Sequence, residues 1–156
     1  MKDKMIQILV TDPLSDAGIS VLENAKIKVF VDSNANKKDL LKIVPEIDGW
    51  IIRSGTIIDK DLIHAAKKLQ VIGRAGVGVD NIDLPAATQK GIIVMNTPDV
   101  NTVSAAEHTI GIMLSLARNI SIANQRLNSG KWDRNNLVGT ELRNKTIGIV
   151  GLGKIG

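Results

Sequence analysis

The chain has 156 residues, 44% of them apolar and 23% charged, with a formal net charge of +4. Those proportions fit one globular domain, or one domain and part of another, and exclude wholesale disorder. The absence of cysteine excludes a disulfide framework and a thiolate metal site. The first residues, MKDKMIQILV, carry an apolar stretch too short for the core of a signal peptide. The longest apolar stretch, around Ile110–Ala117, falls far short of the ~20 residues that span a bilayer. A soluble protein of the cytoplasm, with no membrane partner, is therefore expected. Lysines come in scattered pairs (Lys37–Lys38, Lys67–Lys68) with acids between them. The only aromatic residues are Phe30, Trp50 and Trp132, so no basic stripe is interleaved with stacking rings and nucleic acid is not an expected partner. The core must be aliphatic.

In chain order, short apolar runs alternate with helical patterns. Met5–Val10 reads as a strand, followed by Pro13 and a helical pattern through Ala17, Val21 and Leu22. Lys26–Val31 is a second strand and Asp39–Val44 a helix that stops at Pro45. Trp50–Arg53 is a third strand, Asp61–Leu69 a third helix and Val71–Ala75 a fourth strand. Leu84–Gln89 is a short helix and Ile92–Met95 a fifth strand. This alternation predicts a parallel sheet covered by helices on both faces.

After Pro98 the pattern becomes one long helix. Val103, Ala106, Ile110, Met113, Ala117 and Ile120 follow steps of three and four, with Ile112 and Leu116 adding apolar cover on another side. Ser104 with Glu107, Asn101 or Thr102 can cap its start, and Gly130 ends the helical region. It reads equally as a connector, a subunit contact or an ordinary core helix. Lys131–Arg143 is a polar loop around Trp132 and Leu137. Lys145–Val150 (K-T-I-G-I-V) then has the composition of a central parallel strand. Because a buried strand needs neighbours that the remaining six residues do not supply, the chain is expected to be a piece of something longer.

Two glycine clusters carry the candidate chemistry. Gly151-Leu-Gly153-Lys154-Ile155-Gly156 is a G-x-G-x-x-G after a predicted strand, a pattern that lets a backbone approach a pyrophosphate at a helix start. Gly73-Arg74-Ala75-Gly76-Val77-Gly78 ends the fourth strand, where glycines free backbone N–H groups for an anion and Arg74 can grip it bidentately. Arg53-Ser54-Gly55-Thr56 holds the equivalent place after the third strand. Ligands of open parallel sheets bind beyond the strands' carboxyl ends, so the two arginines are expected on one edge. His64 reads as a surface residue and His108 as a packing or interface residue. No metal-ligand spacing and no nucleophile elbow is present.

The segments Arg53-Ser-Gly-Thr, Gly73-Arg-Ala-Gly-Val-Gly-Val-Asp-Asn-Ile-Asp83 and Asn96-Thr-Pro-Asp-Val-Asn-Thr-Val-Ser-Ala-Ala-Glu107, with Gly130-Lys-Trp-Asp-Arg134 and Gly139-Thr-Glu-Leu142, resemble the D-isomer-specific 2-hydroxyacid dehydrogenases. The resemblance covers the whole chain and is strongest from about Trp50 onward. It implies an α/β architecture: a flavodoxin-like parallel-sheet substrate domain over 1–98, then over 99–156 a connector helix and the truncated start of a Rossmann NAD-binding domain. The implied activity is NAD-dependent oxidation of a small anionic substrate, 3-phosphoglycerate or a related 2-hydroxy acid. Arg53, Ser54, Arg74, Gly76, Val77, Gly78 and Asn101 would serve the substrate. Val77, Gly151, Gly153, Lys154, Ile155 and Gly156 would serve NAD. The long helix and the Trp132 loop would lie at a subunit interface, giving a homodimer or homotetramer of the full-length parent. The family's catalytic Arg, Glu and His lie downstream of the glycine motif, and neither His64 nor His108 matches that histidine, so residues 1–156 alone are expected to be inactive. A hydroxypyruvate/glyoxylate reductase, a D-lactate-type dehydrogenase and a non-catalytic nucleotide-binding module remain the alternatives.

Overall fold

The computed structural model describes residues 5–156. The chain divides into two compact units, the first ending at Val100 and the second starting at Asn101. In the first unit five strands, β1 (Gln7–Val10), β2 (Lys28–Val31), β3 (Gly49–Ile52), β4 (Val71–Arg74) and β5 (Ile93–Asn96), form one sheet in the order β2-β1-β3-β4-β5. All four pairings are parallel. This is the flavodoxin-like order, and its strand order reverses between β1 and β3.

Four helices connect the strands: α1 (Asp16–Asn24), α2 (Lys37–Ile43), α3 (Lys60–Ala65) and α4 (Leu84–Gln89). Each start is fixed by a side-chain cap. Ser15 accepts from the Gly18 N–H, Asn36 from Lys38 and Asp39, Asp59 from Leu62, and Asp83 from Ala86. The helix expected to stop at Pro45 stops at Ile43. The chain then tightens into a 3-10 turn, Val44–Glu46, which tolerates Pro45 in its first turn. The third helix is shorter than the pattern Asp61–Leu69 suggested, because its end is held from outside. The Lys90 ammonium donates to the carbonyls of Ile63, His64 and Ala66, each at 2.9 Å, groups that a continued helix would have engaged.

The core lies on one face of the sheet. Leu9, Trp50 and Ile72 occupy one registered row and are fully buried against Leu40, Val44, Ile47, Leu62 and Ile63. Each such aliphatic side chain contributes roughly 1.5–3 kcal/mol. Helices lie on both faces, as expected, but the cover is unequal. On the opposite face Val10 is fully buried, but Ile8, Ile51 and Val71 are half-buried, Ile93 and Met95 are exposed, and α1, which packs on β2, has no buried residue. Right-handed crossovers explain the asymmetry. The single step back from β1 to β2 puts one helix on this face, while the forward steps put three on the other.

The second unit departs further from expectation. The single long helix is two, α5 (Thr102–Ala117) and α6 (Ile120–Asn128), separated by Asn119 in the left-handed conformation at φ 56°. Asn tolerates that conformation where a β-branched residue would not. The Asn119 side-chain amide then donates to the Val138 carbonyl, and the Thr140 N–H to the Ala117 carbonyl, closing the end of α5. Neither helix has a buried residue, so the all-round cover expected for the first is not present within this unit. Gly130, at φ 76°, does end the helical region, and a 3-10 turn at Arg134–Asn136 follows it. Lys145–Val150 forms no strand. Strands exist as ladders, and no described segment pairs with this one. Among the described residues no helix is long and apolar enough to cross a membrane.

Two measurements check this account. Lys90→Met removes the donor shared by three carbonyls and is expected to cost about 1–3 kcal/mol of unfolding free energy in urea. The second concerns Lys37, which bonds Asp59 at 2.6 Å and Asp61 at 2.7 Å. The Lys37 hydrogen bond holds the Asp59 carboxyl below its usual range, and the bond to Asp59, then that to Asp61, raises the Lys37 ammonium above its own. The Asp59 contribution is thus present above the unfolded carboxylate value of about 3.9 and is lost as pH falls through the lower folded value. Melting temperature is expected to drop on acidification below about pH 4, and to drop less steeply in Asp59→Asn.

Candidate functional site

Parallel strands send all their carboxyl ends to one edge, and β3 and β4 leave it side by side. Ile52 registers with Arg74, and the Ala75 N–H donates to the Ile52 carbonyl at 2.8 Å. The segments Arg53–Thr56 and Ala75–Gly78 therefore emerge as neighbours, as the two clusters predicted.

A set of buried polar contacts shapes the first loop. Asp12, 7% exposed just beyond β1, accepts from the Arg53 N–H at 2.7 Å and the Thr56 N–H at 3.2 Å through one carboxylate oxygen. From the other side, the Asn81 amide donates to the carbonyls of Arg53 at 2.7 Å and Thr56 at 2.6 Å. Behind them the Trp50 indole N–H and the Thr56 hydroxyl both donate to the Thr11 hydroxyl, at 2.9 and 2.8 Å. A side chain at Gly55 would bring its Cβ within 2.3 Å of the other Asp12 oxygen, so any other residue would have to push the carboxylate aside. Held this way, the loop leaves the amides of Ser54 and Gly55 without a hydrogen bond among the described residues, and both residues are exposed.

The second loop is built around Arg74. Its guanidinium folds over Gly76, where a Cβ would lie 2.8 Å from Nη1. The Gly76 N–H is already committed to the Arg74 carbonyl at 2.8 Å, while its own carbonyl takes the Thr97 N–H at 3.0 Å. The Asn96 amide holds the Val77 carbonyl at 2.6 Å. Gly76 is therefore a packing glycine with a used donor, and among the described residues the amides of this loop without a hydrogen bond are those of Val77 and Gly78.

What sets Arg53 and Arg74 apart is their place, on adjacent strand exits, since other basic side chains of the described residues are also without an ion pair. Lys37, Lys42, Lys68 and Arg126 each pair with a carboxylate. Arg53 and Arg74 have no ion pair among the described residues, and the buried Arg74 Nε has no acceptor. A cavity of about 440 Å³ opens beside the first loop, between the ends of β1 and β3, lined by Thr11, Asp12, Thr56 and Asp59. The cation facing it, Lys37, is neutralised by Asp59 and Asp61.

The remaining expected residues lie in the second unit, or outside any cluster. Asn101 stands at the start of α5 and its side chain makes no cap, and Ser104 and Glu107 form no capping box. His64 and His108 are both exposed, so the packing role expected for His108 is not present within its unit. Gly151, Gly153, Lys154, Ile155 and Gly156 lie in exposed, irregular chain, with Gly151 at φ 96° and Gly156 folded back against the Gly151 carbonyl. The glycine turn fits a close approach of phosphate, but neither the strand before it nor the helix start after it is formed there. Among the described residues no group of His, Cys, Asp or Glu can hold a metal ion.

Thr11 and Asp12, which brace the first loop, were missed by motif reading, and Asn81 was quoted within Gly73–Asp83 without a role. The available signal was Thr11-Asp12-Pro13 directly after a buried strand, where parallel sheets put their ligand loops.

Against known proteins, residues 8–150 match the model of the D-isomer specific 2-hydroxyacid dehydrogenase catalytic domain. The chain is 51% identical over 152 residues to the D-3-phosphoglycerate dehydrogenase of Methanocaldococcus jannaschii, covering 97% of this chain and 29% of that protein. It is 47% identical over 150 residues to the human D-3-phosphoglycerate dehydrogenase, covering 96% and 28%. Among solved structures, the TT0316 protein of Thermus thermophilus superposes with a TM-score of 0.89 at 34% identity, over 97% of this chain and 50% of that one. The NAD+-bound 3-phosphoglycerate dehydrogenase of Entamoeba histolytica gives 0.76 at 34% identity, over 98% and 48%. The chain thus spans about half the length of these structures and under a third of the curated relatives. With the family model matched from β1 to Val150, the chain belongs to the D-isomer-specific 2-hydroxyacid dehydrogenases.

Proposed function

We propose that this chain carries the substrate-gripping part of an NAD-dependent D-3-phosphoglycerate dehydrogenase, which oxidises 3-phosphoglycerate to 3-phosphohydroxypyruvate on the way to serine. The observation that carries the reading is the pair of unneutralised arginines, Arg53 and Arg74, on adjacent strand exits beside four free backbone amides. A phosphorylated hydroxy acid offers two anionic ends, and guanidinium groups with backbone amides are the donors that bind such ends most strongly. The names of the relatives favour the same substrate.

In this reading residues 1–98 form the substrate domain and 99–156 begin the nucleotide-binding domain. Arg53, Ser54 and Arg74 take the phosphate or carboxylate, Val77 and Gly78 take the carboxylate through their amides, and Asn101 stands at the domain junction. Gly76 contributes by making room for the Arg74 guanidinium. NAD, present in the Entamoeba relative, would be held by Gly151, Gly153, Lys154, Ile155 and Gly156 with Val77 beside its nicotinamide. When bound, it accepts the hydride leaving C2. The C2 hydroxyl proton needs a base. Among the described residues neither exposed histidine has a carboxylate partner to support that role, and residues 1–156 alone are proposed to be inactive. The exposed apolar residues of α5 and α6, with Trp132 at 80% exposure, favour self-association of the parent. The parent is proposed to work in the cytoplasm.

The test uses the protein as its gene encodes it, with 3-phosphoglycerate compared against hydroxypyruvate and glyoxylate. A preference for 3-phosphoglycerate is expected. Arg74→Ala should lower kcat/KM for it by roughly 10- to 100-fold, equivalent to losing a charged hydrogen bond of about 1.5–3 kcal/mol. A preference for the unphosphorylated acids would move the assignment to a hydroxypyruvate/glyoxylate reductase. In a separate assay, purified residues 1–156 are expected to give no NAD reduction with any of these substrates.

A further inference from the structure

The loop Arg53–Thr56 is gripped at both ends and on both sides. Its two terminal N–H groups go to one oxygen of Asp12, and the carbonyls of the same two residues go to the amide of Asn81. Asp12 lies more than forty residues upstream of its partners, and its carboxylate is the only charge placed behind the loop by these contacts. Charge-assisted bonds from a carboxylate to two backbone amides are stronger than neutral ones and fix direction as well as distance. Two amides point inward to Asp12. The next two, Ser54 and Gly55, are therefore left free at the exposed edge. Gly55 seals the arrangement, since its missing side chain is what lets the second Asp12 oxygen sit 2.3 Å from the place a Cβ would take.

We infer that Asp12 is a positioning residue for substrate recognition: its carboxylate turns two amides of the Arg53–Thr56 loop inward, so that Arg53 and the amides of Ser54 and Gly55 face the anionic end of the hydroxy acid. The inference rests on the proposed function of that loop. Asp12 never touches the substrate. It acts by holding the donors in one conformation before the anion arrives, which removes an ordering cost from binding. Its loss therefore acts on the affinity for the hydroxy acid and leaves the dinucleotide and the chemical step alone.

The experiment measures steady-state kinetics of the gene-encoded protein and of Asp12→Ala, Asp12→Asn and Gly55→Ala, together with hydrogen exchange of the Arg53 and Thr56 amides. Asp12→Ala is expected to raise KM for 3-phosphoglycerate about tenfold or more, with KM for NAD and kcat within twofold, and to speed exchange at both amides at least tenfold. Asp12→Asn keeps an oxygen for the two amides and should recover most of the loss. Gly55→Ala forces the carboxylate aside without deleting it and should reproduce the Asp12→Ala phenotype. It decides the matter with Asp12→Asn if Asp12→Ala does not fold. An unchanged KM for 3-phosphoglycerate in Gly55→Ala, equal rises for substrate and NAD, or no recovery in Asp12→Asn relative to Asp12→Ala would each overturn the inference alone. A parent protein without activity on any 2-hydroxy acid would overturn the functional reading, and this inference with it.

Discussion

Parallel pairing of β3 with β4 is the constraint on which the site depends, because it fixes where two loops far apart in sequence leave the sheet. Ile52 and Arg74 sit side by side in the ladder, so Arg53 and Ala75 begin their loops from adjacent points facing the same way. An antiparallel arrangement would send the two exits to opposite edges. The two arginines share an edge because the helix after β3 returns the chain to the start of the next strand before the second cluster begins.

Apolar burial and polar bracing divide the work in the first unit. Burial of Trp50, Leu9 and Ile72 against α2 and α3 holds the sheet and fixes the strand ends, but it is non-directional and cannot choose a loop conformation. Directional bonds do that. The Thr11 hydroxyl, the Asp12 carboxylate and the Asn81 amide all terminate on Arg53–Thr56 or on the tryptophan beneath it. Each bond exchanges with water in the unfolded chain, so the net gain is modest, while leaving any of these buried groups unpaired is costly. The loop is thus specified more by the penalty for other arrangements than by the strength of this one.

The first unit was largely legible in the sequence because its elements are local. Five apolar runs and the helices between them announced themselves by period, and the caps Asn36, Asp59 and Asp83 stand one residue ahead of their helices. The elements that failed depended on partners. Lys145–Val150 has the composition of a strand, yet a strand needs a ladder and none of the described residues supplies one. The long helix failed at Asn119, a polar residue beside the apolar face that runs on from Ala117 to Ile120, where the left-handed turn and the bonds to Val138 and Ala117 outweigh helical periodicity.

Composition and motif order therefore determined the fold class, the family and the loop segments that leave the sheet at one edge, since each is encoded in residues close together or in a fixed succession. Only the tertiary structure decided which donors in those segments are free. The Gly76 amide is consumed within its own turn, whereas those of Ser54 and Gly55 are spared because Asp12 and Asn81 arrive from distant parts of the chain. Hydrogen bonds between residues 25 to 44 positions apart follow no sequence period, and so they become visible only once the sheet has brought their partners together.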